Sequence, residues 1–219
     1  MTSEASFLKD VASHEMTVIQ DDGLYRHIRF KQPGSGHMYF DLITWPGVLC
    51  YTGDMGTYVF KRLDDMFQFF RTDRRDNGKL NINLGYWSEK LQASNCSGRH
   101  CRGVMEFSYD RYERIIKEQL VSWWRDECCD AEERRQLREA VEEALLDNWC
   151  ECPESVESAI RMASNFSATI SGYTYQFRDF WDHRLEDYSF HFIWCCYALA
   201  WGIEKYDAAK AIRHEPEAS

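Results

Sequence analysis

No stretch of the 219 residues approaches the ~18 to 20 uninterrupted apolar positions that a membrane span requires. The longest apolar run, 192–203, contains Gly202 and is bounded by His191 and Glu204. The opening residues, Met1-Thr-Ser-Glu-Ala-Ser-Phe7, lack the basic start and apolar block of a secretory leader, so the chain is expected to stay where it is made. An even cysteine count is missing too. Nine thiols cannot all pair within one chain, and without an export signal they are expected to be reduced and packed as small hydrophobes. No nucleophile elbow, His-Glu-x-x-His pair, P-loop or dinucleotide fingerprint occurs, and no cofactor is expected. Cationic excess is absent: 26 Lys and Arg stand against 36 Asp and Glu, a net charge of −10. Direct binding to nucleic acid, whose phosphates require cationic partners, is therefore not expected.

The material for a core is abundant. Hydrophobic residues make up 44% of the chain and aromatics 15%, with eight Trp. A chain of this length buries roughly 70% of its unfolded surface, so folding requires no staples. The charge is uneven. Residues 1–90 hold 11 basic and 12 acidic side chains, whereas 91–219 hold 15 and 24. Within the second part, 126–157 alone carries 12 carboxylates against Arg134, Arg135 and Arg138.

After a short helix over 3–12, residues 16–20 and 24–30 alternate with period two around Asp21-Asp22-Gly23, which predicts a β-hairpin. Gln32-Pro-Gly-Ser-Gly36, Pro46-Gly47 and Gly53-Asp-Met-Gly56 mark further turns between strands at 37–45, 48–52 and 57–60. A helix over 62–71, with Leu63, Met66, Phe67 and Phe70 on one face, is expected to cover this sheet. Residues 72–83 read as a polar loop, and 94–103 as the boundary to a helical half. There Ser108 caps a helix over 109–126, and Asp130 with Glu133 forms a capping-box pattern ahead of Leu137, Val141 and Leu145. Pro153 suits the first turn of a third helix, and 167–175 has β character. The run 190–208, apolar on nearly every side, is expected to be the central helix of this half. The fold class is α+β: an N-terminal antiparallel sheet of about five strands with a covering helix (1–93), packed on a C-terminal helical group (104–212). The two are expected to form one compact unit with a frayed tail at 213–219.

Two blocks carry a resemblance. One is Asp41-Leu-Ile-Thr-Trp-Pro-Gly-Val-Leu-Cys-Tyr-Thr-Gly-Asp-Met-Gly-Thr-Tyr-Val-Phe60, continuing through Arg62, Asp65-Met66 and Phe69-Phe70. The other is Trp194-Cys-Cys-Tyr-Ala-Leu-Ala-Trp-Gly-Ile203 followed by Tyr206-Asp207. Both resemble a family of uncharacterised proteins carried by tailed bacteriophages and prophages. The resemblance covers roughly a fifth of the chain. It implies a phage origin and a bacterial cytoplasmic setting, and it transfers no catalytic residue.

Few motifs point to chemistry. Gly53-Asp54-Met55-Gly56 fits a hairpin turn better than a phosphate nest, because no Lys-Ser/Thr follows. Cys96, His100 and Cys101 could offer three metal ligands with a fourth from Cys128, Cys129, Cys150 or Cys152. No CxxC knuckle supports that set, and no metal is expected. Asp182-His183, with Asp187, is the nearest approach to an acid–base pair. The acidic segment has the clearest physical consequence, because its field attracts basic surfaces over about a Debye length. Glu132, Glu139, Glu142, Glu143, Asp147 and Glu151 are its candidate partner-binding residues, and Tyr25, Tyr39, Trp45 and Tyr58 on the sheet form a second candidate surface. The expected partner is a host protein with a basic surface, such as one that normally holds nucleic acid. The expected function is inhibition by a phage accessory protein: counter-defence, as in an anti-CRISPR or anti-restriction factor, or host takeover. Two other classes remain open, an enzyme with a dispersed His and carboxylate site and a structural or oligomeric phage module.

Overall fold

The computed structural model describes residues 2–94, 103–127, 130–146 and 152–214. In chain order the elements are α1 (Glu4–Asp10), β1 (Glu15–Asp22), β2 (Tyr25–Lys31), β3 (Phe40–Trp45), β4 (Val48–Gly53), β5 (Gly56–Lys61), α2 (Met66–Arg71), α3 (Leu84–Ser88) and β6 (Leu91–Ser94). There follow β7 (Met105–Phe107), α4 (Tyr109–Asp126), α5 (Ala131–Val141), a π-turn (Glu142–Leu146), α6 (Val156–Asn165), β8 (Ala168–Ile170), β9 (Tyr173–Tyr175), a 3-10 turn (Phe180–Asp182), β10 (Glu186–Tyr188) and α7 (Phe190–His214). The class is α+β. No helix among the described residues is long and apolar enough to cross a membrane.

The chain divides into two compact units, and the division does not follow chain order. Residues 1–104 and 188–219 form a sheet unit, and 105–187 form a helical unit. The sheet unit holds an antiparallel meander in the order β1 to β6, one strand more than the periodicity suggested. The added strand, Leu91–Ser94, is too short to show alternation and pairs with β5 through Tyr58–Ser94 and Val59–Ala93. Gly23, at φ +59, closes the first hairpin, whose edge strand is bulged between Val18 and Gln20. The inner face presents Ile28, Phe30, Phe40, Leu42, Leu49, Tyr51, Tyr58 and Phe60, all fully buried.

Helix α7 packs on that face, which corrects its expected place at the centre of the helical group. Trp194 meets the edge of Phe40 at 5.7 Å and Trp201 that of Phe30 at 5.3 Å, while Phe7 of α1 lies 5.0 Å from Trp194. The helix is apolar on several sides because α1, α2 and β3 all contact it. Segments 41–70 and 194–207, far apart in the chain, thus contribute to one core. Helix α2 starts only at Met66, where Asp65 accepts a hydrogen bond from the amide of Phe67. Leu63 lies before it and is exposed, contrary to the expected apolar face.

An ionic ladder ties α7 to the sheet and α2. Arg26 donates to Asp65 at 2.8 Å, Arg71 to Asp207 at 2.7 Å and Arg74 to Asp207 at 2.8 Å. At the edge strand, Tyr206 donates to Asp21 at 2.7 Å and Lys210 lies 3.0 Å from it. Burial alone would raise the pKa values of Asp21, Asp65 and Asp207, but these hydrogen bonds outweigh it and hold all three below the usual value. Several buried polar atoms have no hydrogen-bond partner among the described residues, the Tyr51 hydroxyl among them. An unsatisfied buried hydroxyl costs about 1 to 3 kcal/mol. Tyr51→Phe is therefore expected to leave the melting temperature unchanged or higher, and a clear drop on thermal denaturation would contradict the assignment.

The helical unit has its own core of Tyr112, Ile116, Leu120, Trp123, Leu137, Val141, Leu145, Phe166, Tyr175 and Phe180 among others. Its helices start where the sequence placed caps: Ser108 accepts from the Arg111 amide, and Asp130 from the Glu133 amide. Helix α6 differs. Ser155, with Ser158, forms its capping box, so Pro153 precedes the helix rather than opening it. The β8–β9 hairpin turns on Ser171 and Gly172, at φ +51 and +84. β7 pairs with β10, and the amide of Ser108 donates to the carbonyl of Leu185, so the two ends of the unit lie together.

Candidate functional site

The charge of the chain partitions with the fold. Residues 105–187 contain 20 Asp and Glu against 10 Lys and Arg, whereas 1–104 and 188–219 contain 16 of each. The helical unit thus carries the whole net charge of −10. Helix α5 and its π-turn present much of it. Leu137, Val141 and Leu145 turn into the core, which by the helical period sends Glu132, Glu139 and Glu143 outward, where all three are exposed; Glu142 is half-buried.

The carboxylates are not equivalent. Arg135 donates to Glu132 at 2.6 and 3.0 Å and to Glu139 at 2.9 Å, and Gln136 adds a bond to Glu132 at 2.8 Å. The hydrogen bonds from Arg135 and then Gln136 hold the Glu132 carboxyl below its usual pKa. Arg138 reaches Glu142 only at 3.9 Å. Glu142 and Glu143 therefore keep most of their field for solvent or a partner, while Glu132 and Glu139 share one guanidinium. Such exposed pairs add little stability in solvent, so Arg135 shapes the field more than it stabilises the helix. Asp147 and Glu151 lie outside the described residues, as do Cys96, His100, Cys101, Cys128, Cys129 and Cys150. Among the described residues no group of three or more His, Cys, Asp or Glu is arranged to hold a metal ion.

Asp182 and His183 sit at the end of the 3-10 turn, where the His183 ring lies 5.5 Å from Phe180 and Asp187 is engaged by Arg111 at 3.0 Å. The aromatic set on the sheet separates. Tyr25 and Trp45 are 52% and 41% exposed and flank the Arg26–Thr44 pair, Tyr39 is half-buried, and Tyr58 is fully buried in the core. Tyr58 cannot belong to a docking surface. Its position on β5 alternates inward with Phe60, a phase that the sequence left open because both faces of the strand carry large residues.

One constellation escaped the sequence reading. On the outer face of the sheet Arg29 holds Asp41 through two bonds of 2.8 Å, and His27 Nε2 lies 2.9 Å from the same carboxylate. Arg29 pairs directly with Asp41 in the β2–β3 register, and His27 sits one row away. The only advance signal is strand alternation, which puts 27, 29 and 41 on one face once the register is known. Burial would raise the Asp41 pKa, yet the bonds from Arg29 and His27 hold it below the usual value. With three hydrogen bonds in place, Asp41 is a lock between strands rather than a free base. The nearby Cys50 thiol is pushed up by burial and then by Asp41, which disfavours a nucleophilic thiolate.

Four depressed carboxylates, Asp21, Asp41, Asp65 and Asp207, make the sheet unit acid-sensitive. The unfolded chain takes up these protons first, near pH ~3.9, so their stabilisation is full above that pH and is lost as pH falls through the folded values. The melting temperature is expected to fall steeply below about pH 4. Asp41→Asn should flatten that slope, and a wild-type melting temperature constant from neutral pH to about pH 3 would contradict the linkage.

Comparison of the chain with protein families, with curated proteins and with solved structures finds no match.

Proposed function

We propose that the protein is a phage-encoded binding protein that occludes a basic surface of a host protein, one that normally holds nucleic acid. The observation that carries this reading is the placement of the whole −10 net charge in the helical unit, with Glu139 and Glu143 exposed and Glu142 half-buried beside them. A concentrated field of this kind accelerates encounter with cationic surfaces and disfavours polyanions. The resemblance of the blocks 41–70 and 194–207 supports the phage setting and, with it, counter-defence or takeover. The engagement of Asp41 and the raised Cys50 thiol weigh against a hydrolytic or nucleophilic site at the outer sheet face.

The test is charge reversal. Changing Glu139, Glu142 and Glu143 to Lys shifts the net charge by six units without touching Leu137, Val141 or Leu145. Surface changes of this sort move stability by about 0.5 kcal/mol each. The variant should keep its melting curve, and it should lose the host protein that the wild type captures at low salt and releases at high salt. Capture of the same protein by the folded variant with the same salt sensitivity would refute the acidic-surface mechanism.

A further inference from the structure

The sheet unit holds a cleft of about 710 Å³ between α1, the loop that follows α2 and the middle of α7. That volume lies within the range of about 300 to 1,000 Å³ typical of small-molecule sites. Its charge runs against the sign of the chain: five cations line it, against the carboxylates of Glu4, Asp76 and Glu204. Two of the cations, Arg71 and Arg74, are held by Asp207. The other three, Arg75, Lys79 and Lys205, have no carboxylate partner among the described residues; Lys205 Nζ lies 5.5 Å from the centre of the Trp201 ring. Glu4 is committed, because its Oε1 accepts the amide of Leu80 at 2.9 Å and so ties the loop to α1. Leu8 and Leu80 add apolar side chains to the same lining, where Trp201 is largely buried. The loop that brings Arg75 and Lys79 here is shaped by Asp73, which accepts from Trp87 Nε1 at 2.7 Å and from Asn83 at 3.2 Å. In the sequence it read only as a polar connection.

We propose that this cleft binds a nucleoside phosphate, with the phosphate on Arg75, Lys79 and Lys205 and the base against Leu8 and Leu80. Unpaired cations in the lining suit phosphoryl oxygens, because charge-assisted hydrogen bonds to phosphate are roughly twice as strong as neutral ones. The apolar side chains of Leu8 and Leu80 beside these cations suit a flat heterocycle rather than a bare anion. The assignment is independent of the acidic surface on the helical unit.

Titration calorimetry on the full chain at low salt, with adenosine triphosphate, pyrophosphate and adenosine as separate probes, tests it. Saturable binding of the triphosphate is expected, about tenfold tighter than that of either part alone. Arg75→Ala with Lys79→Ala should weaken it about tenfold, since each side chain supplies a charged contact. Both residues are exposed, so the variant should melt with the wild type. Lys31→Ala with Lys61→Ala removes the same charge from exposed positions outside the cleft and should change affinity less than about twofold. The proposal is overturned by absence of saturable binding, by pyrophosphate or adenosine binding as tightly as the triphosphate, or by equal losses in the two double variants.

Discussion

Gly53→Ala is expected to destabilise the sheet unit by about 3 kcal/mol or more, a fall of roughly 10 °C in melting temperature. Gly53 ends β4 opposite Phe40, where the chain returns through Asp54 and Met55 to Gly56. A Cβ there would collide with the carbonyl oxygen of Tyr39 and come within 2.7 Å of the Phe40 Cα. Both obstacles are backbone, so no rotamer change relieves them. The Tyr39 carbonyl accepts the Asp54 amide at 3.0 Å, and the Asp54 carboxylate accepts the Met38 amide at 2.9 Å. Pushing β3 aside would break both bonds and shift Phe40, which stacks on Phe30 at 4.8 Å. Gly36→Ala is the control: nothing lies within 4 Å of its added Cβ, and its φ is not positive. Its melting temperature should stay within the effect of about 0.5 kcal/mol typical of a surface change. Equal melting temperatures for the two variants would show that the β3–β4 approach is looser than described.

Excision of residues 105–187 is expected to leave a folded sheet unit that has lost the entire net charge. The chain leaves and re-enters this unit at adjacent points: the Ser189 amide donates to the Val104 carbonyl at 2.9 Å, and its hydroxyl to the Gly103 carbonyl at 2.7 Å. A short Gly-Ser linker from Val104 to Tyr188 therefore spans the gap without stretching either end. The hydrophobic cluster built on β2 to β5 and α7 draws only on residues of the sheet unit, so the excision removes none of its members. A unit with its own core is expected to fold alone. With 16 acidic and 16 basic residues the remainder should be near neutral, against a sequence pI of 5.2 for the whole chain. It should no longer be retained on an anion exchanger, should melt cooperatively, and should fail to capture the salt-sensitive partner. A remainder that is unfolded by circular dichroism would show that the helical unit is required for the sheet to form. A folded remainder that still captures the partner would move the docking surface to Tyr25 and Trp45.

The sequence by itself determined what depends on neighbours a few positions away. Ser108 and Asp130 cap their helices as read, because a cap is a bond between a side chain and an amide three residues on. The turns at Gly23, at Gly47 and at Gly53 to Gly56 followed from the backbone freedom of glycine and from alternation on either side. The acidity of 126–157 is a property of composition and required no coordinates. Tertiary structure alone decided which of these elements share a core. An apolar helix such as 190–208 has no preferred partner in its own pattern, and burial against β3, α1 and α2 rather than against α4 and α5 is settled by shape across more than a hundred residues. The same holds for Asp41. Its meeting with Arg29 and His27 depends on strand register, and a shift of one residue would send the carboxylate to the opposite face. Register and packing partner are long-range quantities, so the sequence could supply the carboxylates, rings and guanidiniums while only the folded chain set which of them meet.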